Sequence, residues 1–409
     1  MTAPPVESTP GAPVRDGAEW RTGWRIVAAA ALANATGISL LFYTFNLFVL
    51  PMADDLHMTR AQGGIVQSMI IFAALGAPVI GWLADRQGFH RLFLICTLAM
   101  AATELALWRW ADGFISMALG TALIGFIGGG SATVLLTRPI NAHFARNRGL
   151  ALGLVGTGIS LTTVFVPPWL QQVLAEHGWR SGFLVLALIA LVLGLPLVLA
   201  LMPRNASTHG TPPAAGSPNR DYLRSGHFWL LVGANVCVSI ATASAISQLS
   251  PMLQERGLSA QVAALGISSF AIGQLVGKLG GGWLLDRYEP RLVACALNAL
   301  PTLGFILLLT QHGQFLPLML GAALIGMLQG ADIGIFAYFV ARRFGAERYG
   351  AIFGALHGIG WIGTAFGVIS VGLSFDRLHG YWAAQSAAIV LLLMAAGLIY
   401  MVRLPPHER

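Results

Sequence analysis

Twelve runs of about 20 or more mainly apolar residues, broken by charge or by Pro/Gly, fill the chain from residue 24 to residue 402. A helix needs about 20 such residues to cross the hydrocarbon of a bilayer. Helices that are apolar all round have no polar face to give to water. Composition agrees: 56% of the 409 residues are apolar and 10% are charged, against about 25% charged in a soluble domain. A soluble enzyme and a disordered chain are both excluded. The expected fold is an all-α membrane protein of twelve transmembrane helices, multi-pass, with the lipid bilayer as its solvent.

The charges orient it. There are 24 basic and 17 acidic residues, net +7, and all but one of the cations are Arg. With the N-terminus placed inside, seventeen cations fall in the tails and inner loops. Five, namely Arg60, Arg109, Arg180, Arg256 and Arg377, fall outside. That bias predicts both termini in the cytoplasm, and the setting expected is a bacterial inner (cell) membrane. The basic excess then reports topology, and no nucleic-acid partner is expected. Cys96, Cys237 and Cys295 lie in apolar runs without metal-ligand spacing. Residues 1–23 read as a polar cytoplasmic tail with no apolar leader. Residues 24–202 and 226–402 read as two six-helix bundles, joined by a Pro/Ser/Asn/Gly-rich cytoplasmic linker at 203–225 and followed by a tail at 403–409.

An internal repeat makes those bundles a pair. Gly81-Trp82-Leu83-Ala84-Asp85-Arg86, with Arg91 beyond, recurs as Gly282-Trp283-Leu284-Leu285-Asp286-Arg287, with Arg291 beyond. Arg148-Gly149-Leu150-Ala151 is echoed by Arg348-Tyr349-Gly350-Ala351 at nearly the same offset. Two matches in phase imply duplicated, pseudo-symmetric halves. The G-x-L-x-D-R element resembles the loop signature of the major facilitator superfamily, which implies that fold. Gly81, Asp85, Arg86 and Arg91, and Gly282, Asp286 and Arg287, are then candidates for a conformational latch. Ion pairs and helix-end dipoles would hold two helices in one of two arrangements. Pro290 replaces a basic position in the second copy.

A closer resemblance runs from Arg146 to Arg204. Arg148-Gly149-Leu150-Ala151-Leu152-Gly153-Leu154, Gly156-x-Gly158 and Gly178-Trp179-Arg180-Ser181-Gly182-Phe183-Leu184 are similar to the monocarboxylate transporter branch and its oxalate/formate antiporter relatives. The resemblance implies a carboxylate substrate. It also exposes a departure. The acidic-Gly-Gly-Trp-Gly-Trp opening of that branch is eroded to Glu19-Trp20-Arg21-Thr22-Gly23-Trp24, and the first span has no Lys, Tyr43 falling near its position.

Ionisable groups at bilayer depth mark pathways by default. The sole Lys, Lys278, lies about 9 Å deep and Arg138 about 12 Å at 1.5 Å per residue. Lys278 is flanked by Gly277 and Gly280–Gly282, with Gln274 one turn earlier on the same face. The resemblance implies an acid and a cation at that spacing; here the cation is kept and the acid is not. A lone buried cation needs an anion, either the substrate carboxylate or Asp332. Arg138 offers a second, bidentate contact or a structural pair with an acid. His357 and Trp361 share a face in the eleventh run, as core residues or as substrate contacts. Asp332, in Gln329-Gly330-Ala331-Asp332, either carries the coupling proton or neutralises Arg138 or Lys278. Glu104 is expected to pair with Arg109. Tyr43, Asn46, Asn235 and Gln248 add neutral hydrogen-bonding groups, whose commoner use is to join helices.

No P-loop, zinc or Ser/His/Asp constellation is present, so neither enzymatic activity nor a cofactor is expected. The expectation is a monomeric secondary transporter. It moves a small carboxylate by alternating access, coupled to a proton or a counter-anion. Substrate would meet Lys278, Arg138, Gln274, His357, Tyr43, Asn46 and Trp361. The alternatives are a proton-driven exporter of the same fold and a transporter-like sensor. Span 5 lacks the exporters' Gly-x-x-x-Gly-Pro-x-x-Gly-Gly stretch, and the short loops leave no room for a signalling domain.

Overall fold

The computed structural model describes residues 18–128, 133–144, 148–203 and 220–404, and every regular element in them is a helix. The expected tail to residue 17 and most of the linker, 204–219, lie outside the described residues. Among the described residues, nine helices are long and apolar enough to cross a bilayer unbroken. A tenth span is the pair α1 (Ala18–Thr36) and α2 (Ile38–Thr44), bent by 42°. The bend has a local cause: Gly37 is extended, and the Thr36 hydroxyl turns back to the Leu32 carbonyl. A short 3-10 turn then leads to α3 (Val49–Asp55).

Two expected spans are each described as two helices, residues 129–132 of the second lying outside the described residues. Those at 60–83 and 114–142 form α4 (Arg60–Ser68) and α5 (Ala73–Gln87) about a 3-10 turn, and α7 (Phe114–Gly128) and α8 (Thr133–His143) flanking 129–132; α6 (Phe89–Trp110) lies between the two pairs. These make the count consistent with twelve. Next come α9 (Arg148–His177), α10 (Arg180–Leu188) and α11 (Leu195–Leu201). A π-turn, Ile189–Gly194, separates the last two just ahead of Pro196, whose missing N–H cannot close the helical ladder. The second half holds α12 (Gly226–Ser247), α13 (Leu249–Glu255), α14 (Ala260–Arg287), α15 (Pro290–Thr310), α16 (Phe315–Phe344), α17 (Ala346–Leu378) and α18 (Trp382–Tyr400). Large apolar side chains such as Phe165, Leu316, Ile362 and Phe366 stand on the outside, as a lipid-facing surface requires.

Small residues bring backbones together where the core is polar. A Cβ at Gly273, Gly277, Gly326 or Gly330 would strike the carbonyl of Ala323, Met327, Phe270 or Gln274 respectively, so α14 and α16 lie backbone to backbone.

Helices α1–α11 pack chiefly among themselves, as do α12–α18; two long seams join the sets, α4 with α17 and α9 with α14. Both seams start at the end of the molecule that carries the turns before α4 and before α14. In the first, the Asp376 carboxylate accepts the backbone N–H groups of Arg60 and Ala61 at 2.9 and 2.8 Å. It thus caps α4 from the other half, beside the capping box of Thr59 and Gln62. Further along, Gly372 meets the Arg60 carbonyl and Gly64 the Val368 carbonyl.

The second seam exploits a defect. Pro168 lacks the N–H that would serve the Val164 carbonyl, and the Ser268 hydroxyl of α14 donates to that carbonyl at 2.6 Å. Gln261 donates to the Pro168 carbonyl at 3.0 Å. The seam ends at Lys278; beyond it a Cβ added at Gly153, Gly280 or Gly282 would meet no neighbouring helix within 4 Å. The halves therefore close at one end and diverge past mid-length.

Candidate functional site

The four groups at the inner end of the second seam form one chain of hydrogen bonds across the halves. Lys278 Nζ donates to the Gly156 carbonyl at 2.6 Å and to Ser160 Oγ at 3.0 Å. Ser160 Oγ donates to Gln274 Oε1 at 2.7 Å, and Gln274 Nε2 donates to Tyr43 Oη at 2.7 Å. Lys278 and Gln274 come from α14, Ser160 and Gly156 from α9, and Tyr43 from α2. The donors all point one way along the chain. Its ends are therefore both donors: an ammonium with a third N–H to give, and a phenol whose own proton is not spent within the relay. Two donors at the apex of a cleft suit an anion.

The hydrogen bonds of Lys278 go to neutral acceptors, while the Asp332 carboxylate of α16 acts on its charge through space. No carboxylate lies within 4.0 Å of Nζ among the described residues. Asp332 sits half-buried on α16, its Oδ1 accepting the Ile333 backbone N–H at 2.6 Å.

A second wall comes from α17. Trp361, Thr364, Ala365 and Val368 line a small cleft with Phe42 and Gln67 of the first half. One turn before Trp361, where α4 no longer covers the stripe, His357 is exposed. Its ring stacks on Phe353 at 6.0 Å and stands edge-on to Trp361 at 6.3 Å.

Of the sequence-chosen residues, the structure brings together Lys278, Gln274 and Tyr43, and places His357 and Trp361 on the opposite wall. It does not bring Asn46 to them: that side chain is 1% exposed, in a 3-10 turn, and donates to the Tyr43 carbonyl. Arg138 lies on α8, and its side chain falls outside the described residues, as do those of Asp85 and Asp286. Within the two repeats, Arg86 lies over the Trp82 ring at 4.0 Å and Arg287 over the Trp283 ring at 5.2 Å, the same cation–π pair in each half. Gly81 is buried, while Gly282 and Arg91 are exposed.

Glu104 corrects an expectation. It is 2% exposed and its Oε2 has no partner, while Arg109 is exposed and makes no ion pair with it. Five residues place the two about 140° apart around a helix. Asn235 and Gln248 do join helices, to the Leu356 carbonyl and to Tyr381 Oη.

Ser160 and Gly156 were the site residues not chosen from sequence. Their only signal was membership of the Gly-rich face of α9. The Gly178-Trp179-Arg180 motif proves to be a brace instead. Trp179 Nε1 and the Arg180 guanidinium both donate to Asp55, and Arg180 also reaches the Ala111 carbonyl at 2.8 Å. Three connections between helices are tied together there. Those two donors hold the Asp55 carboxyl below the usual carboxylate range.

A family profile described as Major Facilitator Superfamily matches residues 28–265 and 231–409. The chain belongs to that superfamily. Among relatives of this major facilitator protein, a gallate transporter of Pseudomonas putida is 28% identical over 86% of this chain and 87% of its own. Monocarboxylate transporter 11 of Mus musculus is 26% identical over 88% and 79%. A protein of Mycobacterium tuberculosis named "Probable nitrate/nitrite transporter NarK2" is 26% identical over 93% and 97%. Among solved structures, a bacterial homologue of the human lysosomal transporter Spinster, inward-facing and occupied, superposes with a TM-score of 0.72 at 15% identity, covering 93% of this chain and 97% of that one. The fold is thus that of a major facilitator. The protein is an integral multi-pass membrane transporter, not an enzyme.

Proposed function

We propose that this major facilitator carries a small carboxylate by alternating access, the carboxylate docking on Lys278 with Tyr43 as a second donor. One observation carries the reading. Lys278 is a cation at the apex of the inter-half cleft whose hydrogen bonds go to the Gly156 carbonyl and Ser160 Oγ and which Asp332 faces only through space, so a carboxylate can take it as a direct partner. A carboxylate fits two donors at the ends of one relay, and gallate and monocarboxylates are the cargo named for two relatives.

In this reading both termini are cytoplasmic and the sealed end faces out. Arg138 supplies a second contact from the first half. Asp332 carries the coupling proton. The Asp85–Arg86 and Asp286–Arg287 helix ends act as the latch on the open side. The carrier works as a monomer of two six-helix bundles in a bacterial inner membrane.

The test is uptake of labelled gallate, lactate and nitrate into proteoliposomes under an imposed pH gradient. Lys278→Met should abolish carboxylate uptake while the melting temperature of the purified protein stays within a few degrees. Asp332→Asn should keep exchange of internal for external substrate and lose accumulation driven by the gradient. Full carboxylate uptake without Lys278 would sink the reading. Uptake of nitrate alone would make the site one for inorganic anions.

A further inference from the structure

We propose that the cargo is an aromatic carboxylate, its ring held by the aromatic wall of α17 while its carboxylate sits on Lys278. The proposal rests on the carboxylate reading above and adds what the rest of the substrate must be.

Consider how α17 is written along the face it turns to the first half. Where the seam is closed the stripe is small or aliphatic: Thr364, Ala365, Val368 and Gly372, the last two touching Gly64 and Arg60. Where the halves have parted, the same stripe becomes rings, Tyr349, Phe353, His357 and Trp361, one per turn. Tyr349 and Phe353 stack at 5.3 Å and 9°, and Phe353 and His357 at 6.0 Å and 14°. The set turns edge-on at Trp361 and crosses to Phe42 at 6.4 Å and 75°. Phe42 meets Tyr43 at 5.4 Å and 86°, and Tyr43 reaches Phe270 at 6.3 Å.

The floor of the cleft is therefore graded. It is cationic at Lys278, which buried Ser160 and Gln274 support from beneath, and ring surface from Tyr43 through Phe42 to Trp361 and His357. While Tyr349 and Phe353 behind it rest on the core, His357 is exposed in the parted region, so packing does not require it. Nor does lipid, since the lipid-facing stripe of α17 is the one bearing Ile362 and Phe366. Edges and faces of neighbouring rings at 6 Å offer a flat guest the edge-to-face and offset contacts that aromatic pairs prefer. A saturated acid of the same size gains only area there.

The discriminating pair is benzoate and cyclohexanecarboxylate, titrated by calorimetry into the full-length protein in nanodiscs, with acetate and nitrate alongside. Benzoate should bind about fivefold tighter than its saturated counterpart, as aromatic contacts of this kind imply. Trp361→Leu and His357→Leu should each narrow that ratio toward one, with an unchanged melting temperature showing that the variants are folded. Equal binding of the two acids to the unaltered protein overturns the aromatic proposal and leaves the carboxylate reading standing. If Lys278→Met binds all acids as before, the carboxylate reading fails instead. Binding of nitrate without either acid overturns both.

Discussion

Single residues divide into those that make the cleft and those that make it possible. Lys278 and Gln274 were legible from one chain because four residues on a helix bring two side chains onto one face, and both do take part in the relay. Their partners were not legible. Ser160 is 118 positions away from Lys278, and nothing local distinguishes it from a serine that bonds its own helix. Arg180 misleads in the opposite way. As part of a motif it pointed to a family resemblance, and in the structure it serves as a brace on Asp55. Because the Asp55 carboxyl is held below its ordinary range, the brace is intact at neutral pH. Its contribution to stability is fully present above the unfolded value of about 4 and is lost as pH falls through the lowered folded value. Acidification below about pH 4 should therefore lower the melting temperature of the native protein more than that of Asp55→Asn, which lacks the titrating group. Parallel melting curves for the two would show that the brace contributes nothing.

At the scale of elements, hydropathy located the helices and misjudged their continuity. The bend at Gly37 and the π-turn ahead of Pro196 follow from single residues that a window of apolar character averages away. The paired prolines of α9 looked like a departure from an exporter pattern. Their consequence is an unserved carbonyl that α14 takes up. Asp376 is the sharper case: a loop-end acid in sequence, it is in fact the cap of a helix over three hundred residues earlier. A carboxylate on two N-terminal N–H groups contributes about 1–2 kcal/mol in partly buried settings. Asp376→Asn should accordingly shift the population toward separation at the sealed end by about tenfold. Spin labels at Glu176 and Gln314, in a background without the native cysteines, would report it as a longer distance component. An unchanged distance distribution would remove Asp376 from the gate.

The whole molecule was the most legible level, because a repeated G-x-L-x-D-R element at one offset forces two like halves whatever the details of each. Which state those halves adopt was not legible. That depends on where small residues meet carbonyls across an interface, and no window along one chain contains both sides. The answer lies in the two seams, each zipped from one end and each released near mid-length.

The second of those seams ends on Lys278, the ammonium proposed to hold the substrate, and this has a kinetic corollary. A carboxylate drawing on Lys278 competes with Gly156 and Ser160, which belong to the opposite half, so a loaded carrier is a loosened one. An empty carrier keeps its last tooth engaged and returns across the membrane slowly. Turnover should then be governed by what waits on the far side. Liposomes preloaded with unlabelled substrate should take up label several-fold faster than empty ones, and Ser160→Ala, which frees one of the two bonds, should narrow that difference. Equal rates with and without internal substrate would mean that the tooth does not hold.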